Sequence, residues 1–182
     1  DLRRPGGFAG GPGFGRGPGG RGTRLQLALY HTVHLRETVT IGDNGPRLDL
    51  LDGDIISQAG GIPRHEVEAQ LGLMHNGFGM RLSADWQSAY TINGGTSGNQ
   101  ALRFSDLATV DFRLFANLGQ QQALVKAWPF LRGARITLSA NNLFNNRQHV
   151  RDAAGDTPIS YQPAYLDPLG RSVRISFRKL FF

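Results

Sequence analysis

The sequence predicts an all-β fold built from about six long antiparallel strands. Apolar and polar residues alternate with a period of two along six separate segments, and this spacing places one set of side chains on each face of a strand. Asn76-Gly77 joins two of these segments, and Asn-Gly between alternating runs is a strong hairpin signal. Only the stretch 120–128 has a pattern that suits an amphipathic helix.

The first three predicted strands lie in the amino-terminal half of the sequence. The strand at about 23–36 alternates leucine and valine with arginine, glutamine and threonine, and His31 is the exception on its apolar side. The strand at about 64–74 sets valine, alanine and leucine against Glu66, Glu68 and glutamine. After the Asn-Gly turn, the strand at about 78–92 repeats the pattern. All three segments therefore predict strands with two different faces.

The last three predicted strands continue this pattern to the carboxyl terminus. The strand at about 104–118 alternates throughout, and only Leu107 and Phe115 are apolar on its polar side. A strand at about 133–144 precedes the terminal one, which occupies about 170–182. The terminal strand places valine, isoleucine and phenylalanine on one side and serine and arginine on the other.

Strand length and charge together favour a membrane-spanning sheet. The predicted strands run for about 11–15 residues, whereas about 5–6 is usual in soluble sheets and a tilted bilayer crossing needs about 9–11. Charges occupy the polar side of the strands, where a water-filled lumen accepts them more readily than a dry core does. We therefore predict an antiparallel transmembrane β-barrel segment, about six strands of a larger barrel. Its predicted lumen lining is Arg81, Asp85, Asp111, Arg113, Arg135 and Arg174.

The connections between the predicted strands differ in length, as they do in outer-membrane barrels. Long loops are predicted at 37–63, 93–103 and 145–170, and they fall on one side of the membrane. The Asn-Gly turn and the connection 119–132 fall on the other, periplasmic side. Aromatic residues near the predicted strand ends suit an interfacial girdle; they are Trp86, Tyr90, Phe104, Phe144 and Phe181.

Composition limits the remaining interpretations. The 182 residues include no cysteine, which excludes disulfide scaffolds and thiolate metal sites. Residues 1–22 are rich in glycine, proline and arginine and are predicted to form a flexible linker or turn. Without an initiator methionine or a charged-then-apolar leader, the sequence is expected to be a mature chain or a fragment. The net charge of +6 permits anionic partners without selecting one.

The short motifs in this sequence lack the structural context that their chemistry requires. The Gly-rich run at 15–20 matches a dinucleotide pattern but leads from coil into a strand, and its arginines are too few for an RNA-binding segment. His31 and His34, three residues apart on a strand, point to opposite faces, and His65-Glu66 lacks the second histidine of a zincin. We therefore predict no enzyme, no cofactor, no metal site and no nucleic-acid partner.

The carboxyl end resembles that of TonB-dependent outer-membrane receptors. An Asn-Leu-Phe element at 142–144 closes the penultimate predicted strand, and the run 167–181 has the glycine, the alternating apolar residues and the aromatic end of the family's last strand. The resemblance covers roughly 23–182 and is most specific over the last 45 residues or so. It implies that the barrel-assembly machinery reads this strand through Gly170, Val173, Ile175, Phe177 and Phe181.

The resemblance also implies a function. Members of this family take up scarce nutrients such as siderophores, vitamins or saccharides across the Gram-negative outer membrane, with energy delivered by TonB. The expected partners are outer-membrane lipid, the assembly machinery and an unknown small molecule. TonB would act only through an amino-terminal plug region that this sequence lacks, so residues 23–182 would be the carboxyl-terminal part of the barrel. The alternative is a soluble β-sandwich binding module with a basic Gly-rich tail.

Overall fold

The computed structural model describes residues 22–43, 45–56, 59–94 and 101–181, so most of the predicted linker 1–22 lies outside the described residues. The strands are β1 (Arg24–Val33), β2 (Thr38–Thr40), β3 (Arg47–Asp49), β4 (Ile55–Ile56), β5 (Ala59–Gly60), β6 (His65–His75), β7 (Phe78–Gln87), β8 (Tyr90–Asn93), β9 (Ala101–Phe104), β10 (Leu107–Asn117), β11 (Ala134–Asn141), β12 (Val150–Arg151) and β13 (Ser172–Lys179).

Helical structure is short and lies in the connections. Helix α1 spans Gln122–Ala127 and lies within the stretch for which the sequence predicts a helix. Helix α2 spans Pro163–Leu166, and three single 3₁₀ turns lie at Leu118–Gln120, Pro129–Leu131 and Ile159–Tyr161. Within the described ranges, no helix has the length and apolar character needed to cross a bilayer. The antiparallel all-β prediction is confirmed.

Six long strands form one antiparallel sheet in the order β1-β6-β7-β10-β11-β13. They correspond to the six predicted strands, and each pairs with its neighbour through a regular register. The Asn76-Gly77 hairpin joins β6 to β7 with positive φ angles of 45° and 82° at the two turn residues. Two positive φ values identify the type I′ turn that suits the twist of an antiparallel pair.

Register aligns the apolar side chains of all six strands on one side, which we call the apolar face. One transverse row across this face consists of Leu27, Leu71, Leu82, Phe112, Ala140 and Val173. These side chains form no enclosed core, since Leu27 at one edge is 74% exposed and Ile175 at the other is also 74% exposed. The opposite side, the polar face, carries the charged residues of the same strands, and Lys179 at the end of β13 is the exception.

Two predicted strands are shorter than expected and continue into a different sheet. The predicted strand 78–92 breaks after Gln87, where Ser88 donates its backbone N–H to the His65 carbonyl at 2.9 Å. The predicted strand 104–118 breaks before Leu107 in the same region. Beyond these breaks, β8, β9 and β12 form a separate three-stranded sheet in the order β12-β9-β8. The two breaks therefore mark the end of the six-stranded sheet.

Phe115, which interrupts the polar pattern of β10, packs in a gap left by a glycine. It pairs with Gly79 of the neighbouring strand, and a Cβ at that glycine would overlap the ring carbons of Phe115. The guanidinium carbon of Arg135 lies 4.2 Å from the centroid of the same ring, so the ring lies between strand backbone and cation. Gly79 is thus required by close packing across the sheet.

We expect Gly79→Val to destabilise the protein by roughly 1–3 kcal/mol, because overpacking forces neighbouring atoms apart. Urea titration would measure the free energy of unfolding. Adding Phe115→Ala to the same chain should recover part of the loss, because the overlapping ring is then gone. Gly22→Ala is the control, since a Cβ there meets nothing within 4 Å. An unchanged stability in Gly79→Val would contradict this packing.

Candidate functional site on the polar face and in the loop cluster

The predicted lumen residues share one face of the six-stranded sheet. Arg81 lies directly opposite Arg113 in the register of β7 and β10, and Asp85 lies opposite Glu68 of β6. Ser139 separates Arg113 from Arg174 in the same transverse row. The polar face therefore contains all six predicted residues, which are Arg81, Asp85, Asp111, Arg113, Arg135 and Arg174.

Charge on the polar face is separated along the strands. We call the end of the sheet near Asn76-Gly77 the turn end and the opposite end the loop end. The cations occupy the half toward the turn end, and the carboxylates occupy the half toward the loop end. The cations are Arg24, Arg81, Arg113, Arg135, Arg174 and Arg178, and the carboxylates are Glu66, Glu68, Asp85 and Asp111.

A polar cavity of about 180 Å³ lies where the two charge regions meet. Arginine, carboxylate, amide and hydroxyl groups surround it, so it offers both donors and acceptors to a polar ligand or to water. Its lining residues are Gln70, Arg81, Ser83, Asp111, Phe112, Arg113 and Asn141. A cavity with this volume and lining can hold a small polar group.

Asp111 has a structural role besides lining this cavity. Its Oδ1 atom accepts the backbone N–H of Asn142 at 2.8 Å, immediately after β11 ends. Asn142 is buried at a positive φ of 49°, and its side chain both donates to and accepts from the backbone of Asn146. The Asn-Leu-Phe element is thus a tight turn that the polar face holds through a carboxylate.

The same turn fixes the start of the last strand. Asn145 accepts the backbone N–H of Arg171 on its side-chain oxygen at 3.0 Å. Gly170 precedes that contact at a φ of 53°, and a Cβ there would overlap the Asn145 side-chain oxygen. The local packing therefore explains why position 170 of the predicted assembly signal is a glycine, whatever the function of the chain. Only glycine fits between the turn and the strand.

The remaining residues of the predicted assembly signal are exposed. Val173, Ile175 and Phe177 lie on the apolar face of β13, opposite alanine, leucine and isoleucine of β11. Phe181 lies just beyond the end of β13 and is 83% exposed. Strand β13 is shorter than the predicted 170–182, and it occupies one edge of the described sheet.

Among the residues that the structure describes, the enclosed hydrophobic core lies in the loops. Ile92, Leu102, Phe104 and Val150 are buried together, and they come from four different predicted strand ends or connections, 78–92, 93–103, 104–118 and 145–170. Ile55, Tyr90 and Tyr161 pack around them. We call these seven residues the loop cluster.

Tyr90 and Phe104, two residues of the predicted interfacial girdle, pack inside the loop cluster instead. Tyr90 and Phe104 stack with ring centroids 4.6 Å apart, and Tyr161 meets the edge of Phe104 at 5.7 Å. The prediction that Tyr90 and Phe104 mark a membrane interface is therefore wrong, because their rings pack within the loop cluster. Trp86, in contrast, lies on the apolar face, and its indole N–H donates to Asp106 at 3.4 Å.

Burial in the loop cluster raises the pKa of Tyr90 above its ordinary value of 10.0, and nearby Tyr161 adds to the effect. A raised pKa means that folding favours the neutral phenol. We expect the stability contributed by this group to be intact below pH 10 and to fall as the pH rises further, because the unfolded chain ionises first. Near-ultraviolet circular dichroism across pH 9–12 would follow the loss. Tyr90→Phe should make the curve shallower, and an identical curve in that variant would refute the assignment.

The histidines pair in a way that the sequence did not predict. His31 and His65 come together across β1 and β6, with Nε2 and Nδ1 3.3 Å apart and the rings stacked. His34 lies beyond β1 and contacts Glu37 at 3.2 Å. Among the residues that the structure describes, no three metal-ligating side chains come together. The histidine pair depends on strand register, which spacing along one strand does not reveal.

Comparisons of the chain with protein-family models, with curated proteins and with solved structures found no match. The described part of the chain combines an antiparallel sheet with one exposed apolar face, an opposite face with separated charges, and a loop cluster with its own core.

Proposed function

We propose that this chain is the carboxyl-terminal part of the barrel wall of a Gram-negative outer-membrane receptor, which takes up a scarce nutrient with energy from the inner membrane. The apolar face would contact lipid, the polar face would line the lumen, and the loop cluster would face outside. The resemblance of the carboxyl end supports the receptor class and the TonB partner, and the exposed faces of the sheet support the membrane placement.

The exposed apolar face is the observation that carries the proposal. Large aliphatic side chains at both edges and in the middle of the sheet remain exposed, including Leu25, Leu29 and Leu114. Complete burial of one such side chain is worth roughly 1.5–3 kcal/mol, so a sheet of this kind needs an apolar neighbour. An exposed apolar surface of this extent marks an interaction site, and a bilayer would cover it on all six strands at once.

The polar face supports the same placement. Its arginines and carboxylates would be costly to bury against a second sheet, whereas a wet lumen leaves them solvated. A soluble sandwich would instead cover the apolar face with a second sheet. In the described part of the chain, the second sheet of β8, β9 and β12 contributes its buried side chains to the loop cluster, where Ile55 and Tyr161 pack against them.

Sheet dimensions also suit a bilayer. From the row of Trp86 to the row of Phe78, β7 advances eight residues, or about 27 Å at ~3.4 Å per residue. A strand tilt of about 40° reduces this to roughly 21 Å along the membrane normal, close to the ~25 Å apolar band of outer-membrane barrels. Under the proposal, the outer edges of β1 and β13 pair with further strands, because lipid does not tolerate an unpaired edge.

Ligand capture is proposed for the loop end. The loop cluster combines residues from the stretches 37–63, 88–106 and 145–170, so it would hold the external loops in a fixed arrangement above the lumen. The polar cavity below it would then receive a small polar group. The expected ligand is a small molecule.

We predict that Ile175→Arg in the full-length protein will disrupt outer-membrane assembly while Ser176→Arg will not. The two positions are adjacent and exposed, but only Ile175 lies on the apolar face. Arginine facing the bilayer midplane costs roughly 2–4 kcal/mol, whereas arginine in a wet lumen costs little. Membrane fractionation and heat-modifiable gel mobility would measure assembly.

The behaviour of these two variants distinguishes a membrane-spanning sheet from a soluble binding module. In water, Ile175 is already 74% exposed, so a soluble protein would tolerate arginine there. Equal recovery of both variants in buffer without detergent would overturn the membrane placement and favour the soluble binding module.

A further inference from the structure

The connection between β10 and β11, residues 118–133, carries large apolar side chains that its own fold does not bury. None of its three short helical turns contains a buried residue. Trp128 is 68% exposed and Phe130 is 61% exposed, and Leu124 is also exposed. A polar turn would be enough to join two strands, so these side chains call for a separate explanation.

This connection continues the apolar face beyond the end of the strands. A groove of about 440 Å³ lies on the apolar side at the turn end, and Ile136 is part of its lining. Ile136 pairs with Phe177 across β11 and β13, and the ring of Phe130 stacks on Phe177 with centroids 6.4 Å apart. The apolar surface therefore runs without interruption from the groove to the connection.

Lys179 adds a positive charge at the border of this surface. It pairs with Ala134 on the apolar side of β13, and its ammonium lies 5.5 Å from the Phe130 ring centroid and 5.2 Å from that of Phe181. The ammonium also donates to the carbonyls of Arg132 and Leu180. An ammonium held by aromatic rings beside an apolar face is the arrangement expected where hydrocarbon meets headgroups.

Charge at the turn end is uniformly positive in the described chain. Every described Asp and Glu lies in the loop half of the sheet or in the loops, and none lies in 69–84, 112–141 or 168–181. Lys126 and Arg132 are exposed on the connection, close in sequence to Trp128 and Phe130. Cations interspersed with aromatic residues complement anionic lipid headgroups, and each cation near such a surface contributes roughly five-fold to affinity.

We propose that residues 118–133 together with the end of β13 form an anchor in the headgroup layer of an anionic phospholipid leaflet. Trp128 and Phe130 would lie at the boundary between headgroups and acyl chains, with Lys126, Arg132 and Lys179 at the level of the phosphates. This inference rests on the proposed membrane placement of the sheet. The anchor would set the depth of the sheet at its turn end.

Depth measurements on the full-length protein would test the anchor. Any native cysteine elsewhere in that protein is first replaced, and a nitroxide is then attached to Trp128→Cys, Ile175→Cys or Ile159→Cys after reconstitution into phosphatidylcholine vesicles with or without phosphatidylglycerol. Oxygen and nickel-chelate accessibilities give the depth of each label. We expect position 175 in the acyl region, position 128 at the headgroup boundary and position 159, in the loops, in water.

Failure of the anchor and failure of the membrane placement give different results. A label at 175 in the acyl region with a label at 128 fully in water overturns the anchor alone. A label at 175 in water overturns the membrane placement. A label at 128 that is inaccessible both to oxygen and to the nickel chelate would be buried against protein, and this result would also overturn the lipid anchor.

Charge removal provides a second, independent measurement. The double variant Lys126→Gln/Arg132→Gln should lose at least half of the increase in melting temperature that phosphatidylglycerol gives to the wild type. Both side chains are exposed, so the fold itself should be unaffected. Arg103→Gln/Arg171→Gln removes the same charge at the loop end and should keep the full increase. Equal losses in both variants would overturn the anchor.

Discussion

The register of the antiparallel ladder is the constraint on which the rest of this structure depends. Side chains alternate along a strand, so a slip of one residue between any two strands would bring the charged side of one next to the apolar side of the other. Five consecutive pairings keep the same phase across β1, β6, β7, β10, β11 and β13. Both the uninterrupted apolar face and the grouped charges of the polar face follow from that common phase.

Charge and packing also differ between the two ends of the sheet. In the described part of the chain, every charge on the polar face toward the turn end is positive, and exposed aromatic side chains lie in the connection 118–133. The loop end has carboxylates, and beyond it lies the enclosed core around Leu102 and Val150. Asp111 links the polar cavity to the loop end, because the carboxylate beside the cavity also holds the turn that positions the start of β13.

Much of the sheet was predictable from sequence, since period-two alternation and the Asn76-Gly77 turn are local signals. The shared face of the six lumen candidates was predictable for the same reason. The breaks near Ser88 and Leu107 were not, because the alternation continues through them into β8 and β9. The loop cluster and the contact of His31 with His65 depend on pairings between distant segments, which no local pattern specifies.

Within the described ranges, the enclosed hydrophobic core lies at the loop end, and this affects how the chain would fold. Ile92, Leu102, Phe104 and Val150 exclude water by packing against one another, so the cluster has a driving force in aqueous solution. The six-stranded sheet has no comparable driving force until another apolar phase covers it. Under the proposed placement, the loop cluster would fold in water and the six-stranded sheet would fold in the membrane. A chaperone that carries the chain through water would therefore need to shield the sheet and not the loops.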